Sequence, residues 1–276
     1  MPSVSVLGST VYYEEHGSAP FVFLHGNPGS SHSWRTVLPS LGGLAPDLIG
    51  MGRSGRPDLA YSFADHARYL DAWFDALDLD GVVLVGHDWG GALAFDWAAR
   101  NPSRVAGLVF FETIVKPMTG SELPLPAQER LRRFRAAEAL ENDAFVRQAY
   151  TGGVRTPVSD EDLAAYLAPF PDAPSRRPVL AWAKQMPFEG EPAELIPRIE
   201  AYDAWLAASD VPKLLLTFEG SPTLLIGPQL QAWCKQNIAA LEVVAVGEAG
   251  HHAQEDRPKE IAAEIAAWTE RHRLVA

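Results

Sequence analysis

The fold of this chain is decided at residues 81–91, which read Gly81-Val82-Val83-Leu84-Val85-Gly86-His87-Asp88-Trp89-Gly90-Gly91. The apolar run Val82–Val85 predicts a buried strand, and Gly91–Asn101 predicts a helix. Only a short turn flanked by glycines separates the two. Because glycine tolerates sharp turns and lets a strand and a helix approach closely, we expect the central side chain, Asp88, to stand exposed at the helix N-terminus.

This arrangement of strand, turn and helix is the nucleophile elbow of α/β-hydrolases, where the pattern is usually Gly-x-Ser-x-Gly. Here the central residue is Asp88 instead of serine. A carboxylate that attacks carbon forms an ester with the enzyme itself, so the electrophile need not be an acyl group. The elbow therefore predicts displacement at an alkyl carbon.

Composition excludes several other classes of protein. The 276 residues are 47% hydrophobic, enough for one large domain or for a core with an insertion, and the net charge of −12 argues against nucleic acid and anionic membranes as partners. The single cysteine, Cys234, fits a reducing compartment. No apolar run approaches the roughly 18 to 20 residues of a membrane helix, and the first basic residue is Arg35, so no signal-peptide pattern is present. We expect a cytoplasmic protein.

Short apolar runs alternate with helical patterns, which predicts parallel βαβ units in a doubly wound, mostly parallel sheet flanked by helices. The predicted strands are Thr10–Glu14, Phe21–Leu24, Leu44–Pro46, Val82–Val85, Val105–Phe111, Lys213–Thr217 and Glu242–Val246. The predicted helices of this core are Phe63–Leu77, Gly91–Asn101, Pro228–Asn237 and Pro258–Arg271.

A proline-rich stretch, residues 114–201, interrupts this alternation, and its only clear periodicity is helical, as in Gln128–Leu140 and Asp160–Leu167. We interpret it as an all-helical cap, or lid, inserted between two strands of the sheet. The core domain would then consist of residues 1–113 and 202–276. Open α/β sheets bind ligands at the carboxyl ends of their strands, so the cap would cover the site.

Two loops complete a hydrolytic site beside the elbow. The segment Phe23–Pro28 ends a predicted strand, and in hydrolases of this architecture such a loop supplies one backbone N–H to the oxyanion hole, with the other from the residue after the nucleophile, here Trp89. The loop after the last strand holds His251 and His252, and either suits a general base because the pKa of histidine lies near neutral pH.

An acid must orient that histidine, and two candidates end predicted strands. Glu112 directly follows the apolar run Gly107–Phe111, whereas Glu219 lies in a more polar loop. Burial of a carboxylate requires a partner, so Glu112 is favoured. The side chains of Asn27 and Trp89 are neutral N–H donors, which suit a soft monovalent anion such as chloride or bromide as the leaving group.

These motifs closely resemble one family, the haloalkane dehalogenases, over nearly the whole chain. The matching segments are Phe23–Pro28, Ser30–Arg35, Ala45–Gly55, Asp65–Ala72, Gly86–Gly90, Phe111–Glu112, Ser175–Leu180, Gly190–Ala193 and His251–Asp256. The family histidine stands three residues before a glutamine, here Gln254, which selects His251 and leaves His252 where an aromatic residue usually sits. The segment Leu38–Leu44 looks shorter than the family pattern.

The resemblance implies that Asp88 is the nucleophile, His251 the base, Glu112 the supporting acid, and Asn27 and Trp89 the halide donors. The chain resembles the subgroup of the family in which the acid is a Glu after the strand that here ends at Phe111. The implied reaction converts a haloalkane and water into an alcohol, a halide and a proton, through an alkyl ester of Asp88, and calls for no metal or organic cofactor. Cap side chains expected to shape the substrate pocket are Phe134, Phe145, Trp182 and Phe188.

Other functions use a similar layout. An epoxide hydrolase also has an aspartate nucleophile but needs lid donors, usually two tyrosines, and Tyr150, Tyr166 and Tyr202 lie in or beside the cap. A coelenterazine-oxidising luciferase shares the layout of the triad. A non-catalytic small-molecule binder on the same scaffold is the alternative from another class. The sequence leaves open the substrate preference and whether the chain is a monomer or a homo-oligomer.

Overall fold

An eight-stranded sheet runs through the centre of the computed structural model, which describes residues 2–120, 128–129, 132–133, 135 and 143–275. The strands are β1 Ser3–Val6, β2 Ser9–His16, β3 Phe21–Leu24, β4 Gly43–Pro46, β5 Val82–Asp88, β6 Val105–Thr113, β7 Lys213–Glu219 and β8 Leu241–Glu248. Their spatial order is β1-β2-β4-β3-β5-β6-β7-β8. The pairs β1/β2 and β2/β4 are antiparallel, and every other pair is parallel. The sheet is therefore mostly parallel, as predicted.

All seven predicted strands are present, and the structure adds β1 at the antiparallel edge. The alternating sequence of β1, Ser3-Val4-Ser5-Val6, is the period-2 signal that could have revealed this strand. Strands β5 and β6 continue past their predicted ends to Asp88 and Thr113. These extensions carry the polar residues that follow the apolar runs, so Asp88 and Glu112 belong to the ends of strands.

The described part of the chain contains ten α-helices. They are α1 Leu38–Leu41, α2 Phe63–Ala76, α3 Trp89–Arg100, α4 Ala144–Gly152, α5 Asp160–Leu167, α6 Arg177–Lys184, α7 Ile196–Ala208, α8 Pro228–Asn237, α9 Ala253–Asp256 and α10 Pro258–His272. Helix α2 begins with a capping box in which Ser62 and Asp65 satisfy each other's backbone N–H groups. None of the helices in the described ranges is both long and apolar enough to span a membrane.

Between β6 and β7 the described elements are almost all helical: α4 to α7, with a short 3₁₀ turn. Helices α6 and α7 escaped the sequence analysis because their prolines, Pro178 and Pro197, look like helix breakers. Both lie in the first turn, where proline costs no hydrogen bond. The predicted helix Gln128–Leu140 lies largely outside the described residues. The predicted boundary at residues 201/202 falls inside α7, and the division into core and cap stays a prediction.

The sheet separates two apolar clusters. Along β5, Val82 and Leu84 belong to the cluster under α2, α3 and the inserted helices, whereas Val83 and Val85 belong to the cluster under α1 and α10. Alternate side chains of a strand point to opposite faces, so a strand covered on both faces is apolar throughout. Every residue of β5 is buried. This central, doubly covered strand holds Asp88 in a fixed position.

Candidate active site

Asp88 ends β5 in a backbone conformation that side chains rarely adopt, with φ 50° and ψ −126°. The turn is possible because the residues packed against it are glycines: a Cβ on Gly86 would lie 2.4 Å from Cα of Gly91, and one on Gly26 would lie 2.4 Å from Cβ of Asp88. The predicted sharp turn and close approach of strand and helix are therefore both present. The Asp88 side chain is nevertheless buried, with only 4% exposed, because the surrounding loops and the inserted helices cover it.

Backbone N–H groups hold the Asp88 carboxylate at the predicted oxyanion position. The N–H of Asn27 donates to Oδ2 of Asp88 at 2.8 Å, and the N–H of Trp89 also donates to this carboxylate. Burial raises the pKa of Asp88 above its ordinary value, while the charge of His251 and these two N–H groups act in the opposite direction. The same two N–H groups could stabilise the negative oxygen of a tetrahedral intermediate formed on Asp88.

His251 lies between the two carboxylates. Its Nδ1 lies 3.1 Å from Oε2 of Glu112, and its Nε2 lies 3.8 Å from Oδ1 of Asp88. A carboxylate only accepts hydrogen bonds, so Nδ1 carries a hydrogen toward Glu112, and Nε2 is the ring nitrogen that faces Asp88. The structure thus brings together the three residues that the sequence predicts as a triad.

Glu112 is a buried carboxylate with three donors. It is 1% exposed, and its oxygens accept the N–H of Leu225 at 2.6 Å and the N–H of Ile226 at 3.1 Å, besides His251. The alternative acid, Glu219, is exposed at the end of β7. The structure therefore places Glu112 behind the histidine and leaves Glu219 at the surface. The two supporting amides carry no sequence signal, because any residue has a backbone N–H.

The other histidines near the site pack around His251. Nε2 of His87 donates to the His251 carbonyl at 2.8 Å, while Gln254 lies 3.4 Å from Nδ1 of His87. His252 is 3% exposed, and its ring lies 5.1 Å from that of His251 and 4.7 Å from that of Tyr150. Burial lowers the pKa of both His87 and His252 well below the ordinary value. Both rings are therefore neutral around neutral pH.

Asn27 and Trp89, the predicted halide donors, both contact α6, one of the helices inserted between β6 and β7. Nδ2 of Asn27 donates to the Val179 carbonyl at 3.1 Å. The indole of Trp89 stacks on that of Trp182, with ring centroids 4.5 Å apart and an interplanar angle of 28°. Asn27 is 4% exposed and Trp89 is 1% exposed. Sequence reasoning had not foreseen the contact with Val179, since a backbone carbonyl has no sequence signature.

The four predicted pocket residues fall in different places. Trp182 has no exposed surface and meets the site through Trp89. Phe188 is buried and bridges to Met118, and Phe145 is partly buried on α4. Phe134 lies outside the described residues. Their role in shaping a pocket stays a prediction.

A cleft of about 1070 Å³ opens elsewhere between the core and the inserted helices. Its basic lining residues are already engaged: Arg53 pairs with Glu14, Arg177 with Asp58, and Arg56 donates to a backbone carbonyl. None of the five candidate site residues lines it. The cleft therefore contains ion pairs and is separate from the five candidate site residues.

Comparison with known proteins identifies the family. The family model described as alpha/beta hydrolase fold matches residues 19–258. A haloalkane dehalogenase of Agrobacterium fabrum is 40% identical over 97% of this chain and 91% of its own length. A haloalkane dehalogenase of Sphingobium indicum is 39% identical over 98% of this chain and 95% of its own length. This chain belongs to the haloalkane dehalogenase family.

Solved structures of dehalogenases agree with this assignment. The haloalkane dehalogenase DatA from Agrobacterium tumefaciens has a TM-score of 0.91 at 39% identity, covering 98% of this chain and 96% of that one. DbeA from Bradyrhizobium elkani has a TM-score of 0.92 at 42% identity, covering 99% and 98%. The predicted α/β-hydrolase fold and family of this dehalogenase are therefore confirmed.

The cap tyrosines of this dehalogenase do not form an epoxide-opening pair. The hydroxyl of Tyr150 donates to the Pro28 carbonyl, and that of Tyr166 donates to Glu255. The hydroxyl of Tyr202 donates to the Ile114 carbonyl at 2.7 Å. A tyrosine whose only hydroxyl hydrogen is engaged by a protein acceptor has none left for an opening epoxide oxygen. The rival function thus lacks its proton donors in this arrangement.

Proposed function

We propose that this protein hydrolyses the carbon–halogen bond of haloalkanes, yielding an alcohol, a halide and a proton. The observation that carries the proposal is the buried Asp88 carboxylate, which accepts N–H groups of Asn27 and Trp89 and lies 3.8 Å from Nε2 of a histidine backed by Glu112. A serine at this elbow would serve acyl transfer, whereas a carboxylate nucleophile serves displacement at an alkyl carbon.

In the first step an Asp88 oxygen attacks the carbon that bears the halogen. The new bond is a carboxylic ester, and the halide leaves with the electron pair of the carbon–halogen bond. Donors aimed at the departing halogen act mainly in the transition state, where negative charge develops. The side-chain N–H groups of Asn27 and Trp89 are the proposed donors.

In the second step a water molecule attacks the ester carbonyl and gives a proton to Nε2 of His251. The negative oxygen of the tetrahedral intermediate is held by the backbone N–H groups of Asn27 and Trp89, and the ionised Glu112 stabilises the imidazolium. Collapse of the intermediate breaks the bond between the ester carbon and the alkyl oxygen, which takes the proton of the newly added hydroxyl, so the alcohol leaves and Asp88 is again a carboxylate. The imidazolium then returns its proton to solvent, which completes the balance of the reaction.

The test is bromide release from a panel of bromoalkanes by the wild type, with an epoxide assayed in parallel. We expect Asp88→Ala to abolish bromide release and His251→Phe to release no more than one bromide per enzyme, because the ester then persists. A mass increase equal to the alkyl group would identify that ester. Epoxide turnover without bromide release, or full turnover by the His251 variant, would overturn the proposal.

The cysteine content and the net charge of the chain bear on its compartment and its partners. The lone Cys234 is buried, and the net charge of −12 favours small neutral substrates over polyanions. We therefore assign a cytoplasmic location, with haloalkane and water as reactants and neither nucleic acid nor membrane as a partner. Fractionation of cells that express the tagged protein tests the location.

A further inference from the structure

One helix of the inserted region contacts both side chains proposed to hold the halide. Val179 and Trp182, three residues apart on α6, share a face of that helix. The carbonyl of Val179 accepts the Asn27 amide, and the indole of Trp182 stacks on Trp89. Trp89 lies in the elbow after β5, and Asn27 lies in the loop after β3. Helix α6 therefore contacts the proposed active site through the two proposed halide donors.

The Val179 carbonyl determines which way the Asn27 amide points. An amide nitrogen has two hydrogens, and one of those on Nδ2 is taken by this carbonyl at 3.1 Å. A flipped amide would place Oδ1 against the carbonyl oxygen, where two acceptors repel. Oδ1 is buried without a hydrogen-bond partner, so no other group competes for the orientation. The second hydrogen on Nδ2 remains available for a leaving halide.

Trp182 determines the plane of the Trp89 indole. One face of Trp182 lies against Trp89, and His66 of α2 stacks on Trp182 at 4.2 Å with an angle of 24°. Phe63 contacts both tryptophans at centroid distances of 6.1 Å. All four rings are at most 2% exposed. In so dense a column the Trp89 ring cannot turn unless Trp182 moves.

Helix α6 is itself fixed to the core at both ends. At its start Arg177 pairs with Asp58 at 3.2 Å and donates to the Leu59 carbonyl at 3.1 Å. Just past its end, Oε1 of Gln185 accepts the N–H of Phe63 at 2.8 Å. These contacts give the helix a defined position relative to the elbow. A helix that orients the side chains of Asn27 and Trp89 must itself be held in place.

We infer that Trp182 is a positioning residue for the carbon–halogen cleavage step, acting through Trp89. This inference rests on the proposed function. Loss of the stack would leave the Trp89 indole free to turn, so the first step and the affinity for halide would suffer. Hydrolysis of the ester would not, because it depends on His251, Glu112 and backbone N–H groups that Trp182 does not contact.

Single-turnover rapid quench, with enzyme in excess over a bromoalkane, follows bromide and alcohol separately and so resolves the two steps. Trp182→Phe retains an aromatic ring, and Trp182→Leu removes it. We expect bromide release to slow by roughly 10-fold or more in Trp182→Leu and by less in Trp182→Phe, since small displacements of catalytic groups cost up to about 100-fold. The inhibition constant for added bromide should also rise more in Trp182→Leu than in Trp182→Phe. The rate of ester hydrolysis should stay at the wild-type value in both variants.

Trp73→Leu is the matched control, because Trp73 is also a fully buried tryptophan whose indole N–H has no acceptor, and it packs on Tyr13 and Phe74. It should lower the unfolding temperature without changing either rate constant. Equal slowing of both steps in the Trp182 variants, or the same kinetic change in Trp73→Leu, would overturn the inference. If Trp182→Leu does not fold, wild-type rates in Trp182→Phe would overturn it equally. A wild type that releases no bromide would instead refute the proposed function, and this inference with it.

Discussion

Two residues of the proposed triad adopt the left-handed backbone region that favours glycine. Asp88 has φ 50° and is the last residue of β5, and Glu112 has φ 48° and is the last but one of the neighbouring parallel strand β6. Such conformations cost about 1–3 kcal/mol each for residues with side chains, and they persist only where the surroundings dictate them. At Asp88 the surroundings are glycines, and at Glu112 they are three hydrogen-bond donors to one carboxylate. At both positions, therefore, the contacts that hold the strained backbone also hold the carboxylate proposed to take part in the reaction.

Glu112→Gln should slow hydrolysis of the ester while leaving bromide release unchanged. The glutamine amide has only one acceptor oxygen, so it cannot accept Leu225, Ile226 and His251 together, and it cannot stabilise an imidazolium by charge. We expect a loss of about 10²- to 10⁴-fold in the second step, the range for a disabled general base. Rapid quench measures both steps. A matched control is Glu219→Gln, at the exposed alternative acid, which should leave both rates unchanged.

The pH dependence of bromide release should reveal the perturbed carboxyl of Asp88. Burial raises its pKa above the ordinary 3.8, and the charge of His251 lowers it. Only the carboxylate attacks carbon, so release should fail as the pH drops through this raised pKa. In His251→Phe the lowering charge is gone, so the acid limb should move to higher pH than in the wild type. Identical limbs in the two proteins would contradict this account.

At the scale of elements, a charged clamp joins the inserted helices to the segment that follows His251, the proposed base. Arg35 donates to both oxygens of Glu255, at 2.8 and 2.7 Å, and pairs with Asp162 of α5 at 2.7 Å. The hydroxyl of Tyr166, also on α5, donates to the same Glu255 carboxylate. Glu255 lies four residues after His251, in α9, and its side chain is 3% exposed. The clamp therefore ties α5 to the segment that carries the base.

Arg35→Ala should destabilise the protein markedly, because it leaves the buried Glu255 carboxylate without its cation. Removing one partner of a buried pair typically costs about 3–5 kcal/mol. The control is Arg147→Ala on α4, whose pairing with Asp143 is an exposed i,i+4 contact worth about 0.3–0.5 kcal/mol. Urea unfolding compares the two free energies of unfolding. Losses of similar size would show that the clamp is no stronger than a surface ion pair.

At the scale of the whole molecule, buried neutral histidines make stability depend on pH. His25, His66, His87 and His252 are each at most 3% exposed, and burial lowers the pKa of all four. The unfolded chain binds protons below the ordinary histidine pKa of 6.5, whereas the folded chain does not. Stability is therefore full above that pH and declines as the pH falls below it.

His66→Phe isolates one of these groups. Burial lowers the pKa of His66 to about 3, and neither ring nitrogen has a hydrogen-bond partner. Between pH 6.5 and about 3 this residue should remove about 1.4 kcal/mol of stability per pH unit as the pH falls. Phenylalanine keeps a flat ring on Trp182 and cannot be protonated, so the free energy of unfolding should decline less steeply with acid. Parallel slopes for the variant and the wild type would contradict the prediction.

The sequence by itself determined the elements whose signals are local. Continuous apolar runs mark the doubly buried strands β3 and β5, glycines mark the elbow at Asp88, and residue types at the strand ends mark Glu112 and His251. Period and glycine placement depend only on neighbouring residues, so they can be interpreted without the fold. The cap helices α6 and α7 were less accessible, because Pro178 and Pro197 look like breakers until their first-turn positions are known.

Only the tertiary structure decided what surrounds those residues. The amides of Leu225 and Ile226 meet Glu112 across more than a hundred residues of chain, and α6 brings Val179 and Trp182 to the halide donors. Backbone donors, backbone carbonyls and ring stacking carry no residue-type signature, so such contacts become visible only when the chain is folded. The sequence thus specified the reacting groups, and the packed structure specified how they are oriented.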